Sequence, residues 1–126
     1  MFDHVQIKVK DLVASRPFYE AVLGTLDYHV VFEDDGVVGF GTSVHDMFEI
    51  RQASENVPMS VSTHVAFVAK SEKAVHAFHK TAVKLGAQDN GAPKLRPEYE
   101  PGYFAAFIVD PNGHNLEAVF LKPGRI

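Results

Sequence analysis

The chain repeats itself once, and this internal repeat constrains its fold more than any other feature. Residues 4–24 read HVQIKVKDLVASRPFYEAVLG, and residues 64–86 read HVAFVAKSEKAVHAFHKTAVKLG. Each copy opens with His-Val, alternates as a strand does, becomes helical and ends at Leu-Gly. Because an internal repeat reports the architecture directly, we expect one supersecondary unit to be used twice.

After each helix the sequence predicts three short strands. They lie near residues 28–33, 37–42, 46–52, 87–89, 103–109 and 114–121. Residues 90–102, rich in Pro and Gly, are predicted to form an ordered loop. We therefore predict an α+β fold of two tandem β-α-β-β-β modules, about 1–54 and about 61–122, within a single domain over 1–126. Residues 122–126 are predicted to be a short polar tail.

The helix of the second copy has the clearer boundaries. Ser71 is predicted to cap its N-terminus, and Gly86 to take the left-handed conformation after its C-terminus. In the first copy, Pro17 is expected near the start of the helix and Gly24 just past its end. The apolar residues that recur every three or four positions in the second helix are Val75, Phe78, Ala82 and Leu85.

Composition removes several classes of function. The chain has 12 basic and 16 acidic residues, and this acidic balance argues against a nucleic-acid-binding surface. It has no apolar run of about 18 residues and no signal-peptide pattern, which predicts a soluble, cytoplasmic protein without a membrane partner. It has no cysteine and seven histidines, so any metal site must use nitrogen and oxygen ligands.

The repeat also pairs groups that can carry chemistry. His4 corresponds to His64, and Glu49 corresponds to Glu117. Both glutamates interrupt apolar strands on the face opposite the helix-packing residues, and the two histidines occupy the equivalent face. A carboxylate in such a position needs a partner, because burying it unpaired is costly. Two imidazoles and two carboxylates on one sheet surface predict a site for Zn, Fe(II), Mn or Ni.

Taken singly, these residues have simpler interpretations, which stay open. His4 can be a partly exposed strand residue, Glu117 an edge-strand charge, and Glu49 the ion-pair partner of Arg51. Arg51 shares a face with Glu49, so it is also a candidate to neutralise a substrate carboxylate or phosphate.

The segment before the last two strands supplies further candidates for substrate contact. Arg96, Tyr99 and Tyr103 are predicted to close the site as a lid or wall, with a core role open for Tyr103. His114, which follows the Asp-Pro-Asn-Gly turn, is a weaker candidate to line the site. The remaining histidines, predicted to be surface or loop residues, are His29, His45, His76 and His79.

The stretches DLVASRPFYEAVLG, THVAFVA and FIVDPNGHNLEAVF, with His4 opening the first strand, resemble the vicinal oxygen chelate superfamily. This superfamily includes glyoxalase I, extradiol dioxygenases, fosfomycin-resistance enzymes, methylmalonyl-CoA epimerase and bleomycin-resistance proteins. The resemblance covers nearly the whole chain, and the turn Asp110-Pro111-Asn112-Gly113 followed by Glu117 is quite specific to it. It implies that the two modules form a curved mixed sheet around a metal or ligand pocket.

Carried over residue by residue, the resemblance places four residues on the metal positions of bacterial-type glyoxalase I, namely His4, Glu49, His64 and Glu117. It implies a lyase or isomerase whose divalent metal chelates two adjacent substrate oxygens and stabilises an enediolate or another oxyanion. Glu49 or Glu117 then moves a proton at the carbon next to the carbonyl. The loop KLRPEYEPGYFAAF departs from glyoxalase I, and a full set of glutathione-binding residues is not matched.

Two other functions stay open within the same resemblance. One is a metal-free protein that sequesters a small molecule, as bleomycin-resistance proteins do. The other is an Fe(II) extradiol-type dioxygenase that binds iron through two histidines and one glutamate.

Members of the superfamily are commonly dimers, so a homodimer is the default expectation. The four candidate ligands then meet either within one chain or across the dimer interface.

Overall fold

The structure, a computed structural model, describes residues 1–123. Of the predicted polar tail, residues 124–126 lie outside the described residues. The chain divides into two compact units, Met1–Val61 and a second unit that begins at Ser62. No helix within the described residues is long and apolar enough to cross a membrane.

Each unit contains one strand, one helix and three further strands. The elements of the first unit are β1 (His4–Val9), α1 (Leu12–Gly24), β2 (His29–Asp34), β3 (Val37–Ser43) and β4 (Asp46–Gln52). Those of the second unit are β5 (His64–Val68), α2 (Glu72–Lys84), β6 (Gln88–Leu95), β7 (Tyr103–Val109) and β8 (Asn115–Leu121). This order confirms the predicted α+β fold of two tandem β-α-β-β-β modules.

The two four-stranded sheets have the same topology. Their strand orders are β1-β4-β3-β2 and β5-β8-β7-β6. In each sheet the first strand pairs in parallel with the last, while the other pairs are antiparallel. His4 is in register with Met47, and His64 is in register with Asn115. Each of these partners lies two residues before a glutamate, so each histidine shares a sheet face with its repeat-related carboxylate.

The helices cover the opposite face of each sheet. In the first unit, the Tyr19 ring of α1 packs 6.3 Å from Phe40 and 5.7 Å from Phe48, between ring centroids. In the second unit, α2 buries Val75, Phe78 and Ala82 completely, as its periodicity predicts. The prediction for the fourth apolar residue was wrong, because Leu85 lies at the end of the helix and is 45% exposed.

The caps of α2 are as predicted. The Ser71 hydroxyl accepts a hydrogen bond from the Ala74 N–H at 3.0 Å, and Gly86 is left-handed with φ 101°. Replacing Ser71 by Ala is expected to lower the free energy of unfolding by about 1 kcal/mol, because one N–H of the first turn loses its acceptor. Urea denaturation measures this. Ser54→Ala is the control, because Ser54 is exposed and its hydroxyl bonds to no described residue; equal losses for both variants contradict the cap.

The boundaries of α1 differ from the prediction. Pro17 is the sixth residue of the helix rather than a residue of its first turn. The missing N–H removes a bond to the Val13 carbonyl, and Val13 is an exposed residue that water can reach. Gly24 is the last helical residue, not the one beyond it, and the left-handed position falls on Asp27 with φ 64°.

The predicted loop over 90–102 is partly a strand, because residues 90–95 belong to β6. This strand lies at the edge of its sheet, and its pairing with β7 shifts register on both sides of Gly91. An irregular edge strand tolerates Pro93, since proline has no N–H to contribute to a regular ladder. The Pro and Gly content therefore marks bulges here rather than the absence of a strand.

Candidate functional site

In the second unit, a buried carboxylate meets an exposed imidazole. His64 Nε2 lies 2.9 Å from Glu117 Oε1. The Glu117 side chain is 3% exposed, whereas that of His64 is 53% exposed. β8 lies between β5 and β7, so the interpretation of Glu117 as an edge-strand charge was wrong. The pair joins a buried carboxylate to a half-exposed imidazole side chain.

Tyr103 holds the second oxygen of the same carboxylate. Its hydroxyl donates a hydrogen bond to Glu117 Oε2. Burial, followed by this hydrogen bond, raises the pKa of Tyr103 well above its usual value. The phenol therefore keeps its proton at neutral pH and remains a donor. Glu117 is thus held from two sides, by an imidazole and by a phenol.

Three aromatic side chains, Tyr99, Tyr103 and Phe107, form a wall beside this carboxylate. Phe107 is the cross-strand partner of Glu117, and its ring centroid lies 6.1 Å from that of His64. The Tyr99 ring packs edge-on, 5.2 Å from Tyr103 and 6.5 Å from Phe107. Tyr99 is 58% exposed, so this aromatic wall offers an open ring next to the carboxylate.

Arg96 packs against Phe107, one of the residues of the aromatic wall. Its Nε donates to the Ala105 carbonyl at 3.2 Å, and its Nη2 donates to the Ala92 carbonyl at 2.7 Å. The guanidinium carbon sits 4.8 Å from the centroid of the Phe107 ring. Only 8% of the residue is exposed, so the fold rather than solvent sets the orientation of this cation.

In the first unit, the glutamate is equally buried but has a different partner. Glu49 is 5% exposed and accepts a hydrogen bond from Gln6 Nε2 at 3.0 Å. Arg51, two residues on, is exposed and forms no ion pair with a residue in 1–123, so the predicted alternative of a Glu49–Arg51 pair is not found. Lys8 is the cross-strand neighbour of Arg51, which leaves two cations side by side on this face.

His4 is held by a carboxylate of its own. Its Nδ1 lies 2.8 Å from Asp3 Oδ1, and the other oxygen of Asp3 lies 2.7 Å from His45 Nδ1. The hydrogen bond to Asp3 is the main cause of the raised pKa of His4, and the charge of Glu49 adds to it. With Nδ1 engaged, Nε2 is the ring nitrogen of His4 that remains for a ligand.

Across residues 1–123, no three His, Asp or Glu side chains come close enough to hold a metal ion together. Within each unit the structure gives a two-residue set on one sheet face. His64 and Glu117 are in direct contact, whereas His4 and Glu49 share the face without a hydrogen bond between them.

Two residues at the start of β8, Asp110 and His114, are not among the strongest site candidates predicted from the sequence. His114 is completely buried, and its Nδ1 accepts the N–H of Thr63, the residue before His64, at 3.1 Å. Its Nε2 is a buried nitrogen without a hydrogen-bond partner. The Asp110 carboxylate accepts the N–H groups of Asn112 and His114. The Asp-Pro-Asn-Gly turn signal points to Asp110, but nothing in the sequence indicates that the histidine after the turn is buried.

Comparison with known proteins gives one family. The model of the Glyoxalase/Bleomycin resistance protein/Dioxygenase superfamily matches residues 1–118. No curated protein matches the chain. A glyoxalase/bleomycin resistance protein from Albidiferax ferrireducens T118 is 27% identical with a TM-score of 0.83, over 95% of this chain and 98% of that one.

Two more distant structures share the fold. A glyoxalase/bleomycin resistance protein/dioxygenase family enzyme from Burkholderia phytofirmans PsJN is 18% identical with a TM-score of 0.72, over 95% of this chain and 98% of that one. A lactoylglutathione lyase from Agrobacterium tumefaciens is 20% identical with a TM-score of 0.67, over 95% of this chain and 92% of that one. At these identities the likeness concerns the fold alone.

Proposed function

The chain belongs to the glyoxalase/bleomycin resistance protein/dioxygenase superfamily, and on this basis we propose that it is a metal-dependent enzyme of the glyoxalase type. It acts on a small substrate with two adjacent oxygens, by lyase or isomerase chemistry. The observation that carries this proposal is the contact between His64 Nε2 and the buried Glu117 Oε1. A carboxylate kept in a desolvated position beside a solvent-facing imidazole serves no packing purpose.

The donor chemistry of these residues fits a divalent ion. An imidazole nitrogen and a carboxylate oxygen are ligands that Zn, Ni, Fe(II) and Mn all accept. Ligating groups usually have outer partners that orient them, and Glu117 has one in the Tyr103 hydroxyl. His4 has a comparable partner in Asp3, and Glu49 has one in Gln6. We propose as the metal ligands two pairs, His4 with Glu49 and His64 with Glu117, which complete the site either within one chain or across a homodimer interface.

When bound, the metal supplies Lewis-acid stabilisation of the oxyanion that develops on the substrate. The protein must also move a proton at the carbon next to the carbonyl, and the two glutamates differ in their freedom to do so. Both oxygens of Glu117 are held, by His64 and Tyr103. Glu49 accepts one hydrogen bond, from Gln6, so we assign the proton transfer to Glu49 and a fixed ligand role to Glu117.

The exposed side chains near the candidate ligands are the candidates for contact with the substrate. Tyr99 presents an open ring on the aromatic wall, and Arg51 presents an exposed cation on the face of Glu49. We propose that Tyr99 packs against the apolar part of the substrate, and that Arg51 contacts its oxygens. Tyr103, which was also predicted to contact substrate, acts in this proposal through Glu117. The working form is proposed to be a homodimer.

Metal analysis tests this function directly. We expect protein purified without chelators, or reloaded with Ni or Zn, to hold about one ion per chain. His64→Gln is expected to lose the metal, because an amide replaces the imidazole ligand. His29→Gln is the matched control, because His29 is exposed on β2 and bonds to no described residue.

The outcomes separate the candidate functions. Nickel or zinc that is lost in His64→Gln alone supports the lyase or isomerase. Iron accompanied by air-sensitive activity supports the extradiol-type dioxygenase instead. No metal above background in the wild-type protein supports the second candidate, a metal-free small-molecule binder, which the exposed Tyr99 ring also suits. Equal metal content in both histidine variants contradicts the ligand assignment.

A further inference from the structure

Arg96 is a buried cation that forms no direct ion pair within the described residues. The residue is 8% exposed, and no Asp or Glu within 1–123 forms an ion pair with it. The two groups that it binds, the carbonyls of Ala92 and Ala105, are neutral. The Asp89 carboxylate interacts with this cation electrostatically, but its hydrogen bonds go to His79 and to the Gly91 N–H. The guanidinium is therefore compensated only at a distance, which leaves it able to bind an anion directly.

The guanidinium is placed on the same sheet face as the candidate ligands. Gly91, Phe107 and Glu117 are successive cross-strand neighbours in β6, β7 and β8. Arg96 lies against the ring of Phe107, and His64 lies near the same ring. With neighbouring strands about 4.8 Å apart, the cation is roughly 10 Å from the Glu117 position along this row.

Gly91 makes room for the cation. A Cβ built at this position comes within 3.0 Å of Arg96 Nη2 and 3.1 Å of Phe107 Cδ1. Any side chain at residue 91 therefore displaces the guanidinium or the ring, and the φ of 149° adds strain for other residues. The absence of a side chain at Gly91 leaves room for the Arg96 guanidinium over the Phe107 ring.

One nitrogen of the Arg96 guanidinium, Nη1, has no hydrogen-bond partner among the described residues. Nε and Nη2 bind the two carbonyls, whereas Nη1 donates to no described residue. Nη1 is not sealed from solvent, because the only fully buried side-chain nitrogen or oxygen without a partner in the described part of the chain is His114 Nε2. The fold thus clamps two nitrogens and leaves the third accessible in a fixed orientation.

We propose that Arg96 binds a carboxylate of the substrate, roughly two strand spacings from Glu117. The substrate is then an organic anion, with a pair of adjacent oxygens at one end and a carboxylate at the other. This inference rests on the proposed function for the first end and on Arg96 alone for the second. If Arg96 only stabilises the connection between β6 and β7, its loss lowers stability but does not change the discrimination between charged and neutral ligands.

Two matched probes test the site on the metal-loaded protein. One is suberic acid monohydroxamate, which has a chelating hydroxamate at one end and a carboxylate at the other. The second is its neutral terminal amide. By calorimetry, we expect the carboxylate probe to bind at least about 10-fold more tightly to the wild-type protein, as a charge-assisted contact predicts. Arg96→Met is expected to bind both probes equally.

Two further variants keep the test decisive. Lys80→Met removes the same charge from the exposed surface of α2 and is expected to keep the preference. Gly91→Ala retains the charge of Arg96 but displaces it, so the preference is expected to fall even if Arg96→Met does not fold. Equal binding of the two probes to the wild-type protein overturns the proposal.

Failure of the proposed function gives a different result. If the protein takes up no metal, suberate and suberamide replace the two probes on the metal-free protein. A preference for suberate that Arg96→Met abolishes then supports the carboxylate site without the metal chemistry. Equal binding of suberate and suberamide overturns the carboxylate site as well.

Discussion

Replacing Glu117 by Gln is expected to abolish metal-dependent turnover and to weaken metal binding by at least about 100-fold, more than loss of an outer partner does. Gln has nearly the same volume, but its amide is neutral and offers one oxygen where the carboxylate offers two. That amide cannot both accept from Tyr103 and present a charged oxygen toward His64. Metal titration of the apo-protein and assay of the reloaded protein measure the two effects.

The fold of this variant is expected to survive, because Tyr103 still finds an oxygen acceptor at residue 117. Circular dichroism and the unfolding midpoint check this. Glu98→Gln is the matched control, since Glu98 is an exposed carboxylate in the loop between β6 and β7 and bonds to no described residue. A Glu117→Gln protein with wild-type metal content and turnover would show that the metal assignment is wrong.

Replacing Asp110 by Ala is expected to cost about 3 kcal/mol of unfolding free energy, because two backbone donors lose a charged acceptor. The His114 N–H lies 2.8 Å from Asp110 Oδ1 and is buried, so water cannot replace the lost acceptor. The same residues are also linked in the other direction, since the Asp110 N–H donates to the His114 carbonyl. Loss of the carboxylate therefore loosens the turn from which β8 starts.

Asp34→Ala gives the comparison for this prediction. The Asp34 carboxylate also accepts a backbone N–H, that of Asp35 at 2.8 Å, but on an exposed turn. Water replaces that acceptor, so we expect a loss below about 0.5 kcal/mol. Urea denaturation of both variants measures the difference. Similar losses for Asp110 and Asp34 would mean that burial of the turn contributes nothing.

Much of the fold follows from the sequence because its periodicities are local. Alternation identifies the strands, the spacing of Val75 and Phe78 identifies the buried face of α2, and the repeat supplies the module. The same alternation places His64 and Glu117 on one face. It does not give the pairing partner of each strand, so the direct contact of these two side chains required the parallel register of β5 and β8.

Other parts of the site could not be predicted because they depend on non-local packing. Tyr103 reaches Glu117 from a neighbouring strand, and Gln6 reaches Glu49 in the same way. Arg96 was predicted to lie in an ordered, Pro- and Gly-rich loop at the surface of the site, yet it is among the buried residues. The role of Gly91 can be recognised only once the Arg96 side chain is known to pack against it.

The parallel pairing of the first and last strands governs the order in which each module can be completed. Within residues 1–123, β5 pairs with β8 and with no other strand, so it stays unpaired until the chain has passed through the helix and two further strands. The loop that must close is long, and its closure entropy has to be offset by the contacts that it brings together. The contact between His64 and Glu117, 53 residues apart, therefore forms late, when the module closes. A ribosome-bound chain that lacks β8 carries His64 without Glu117, so the proposed metal-binding pair of the second module exists only after that module has closed.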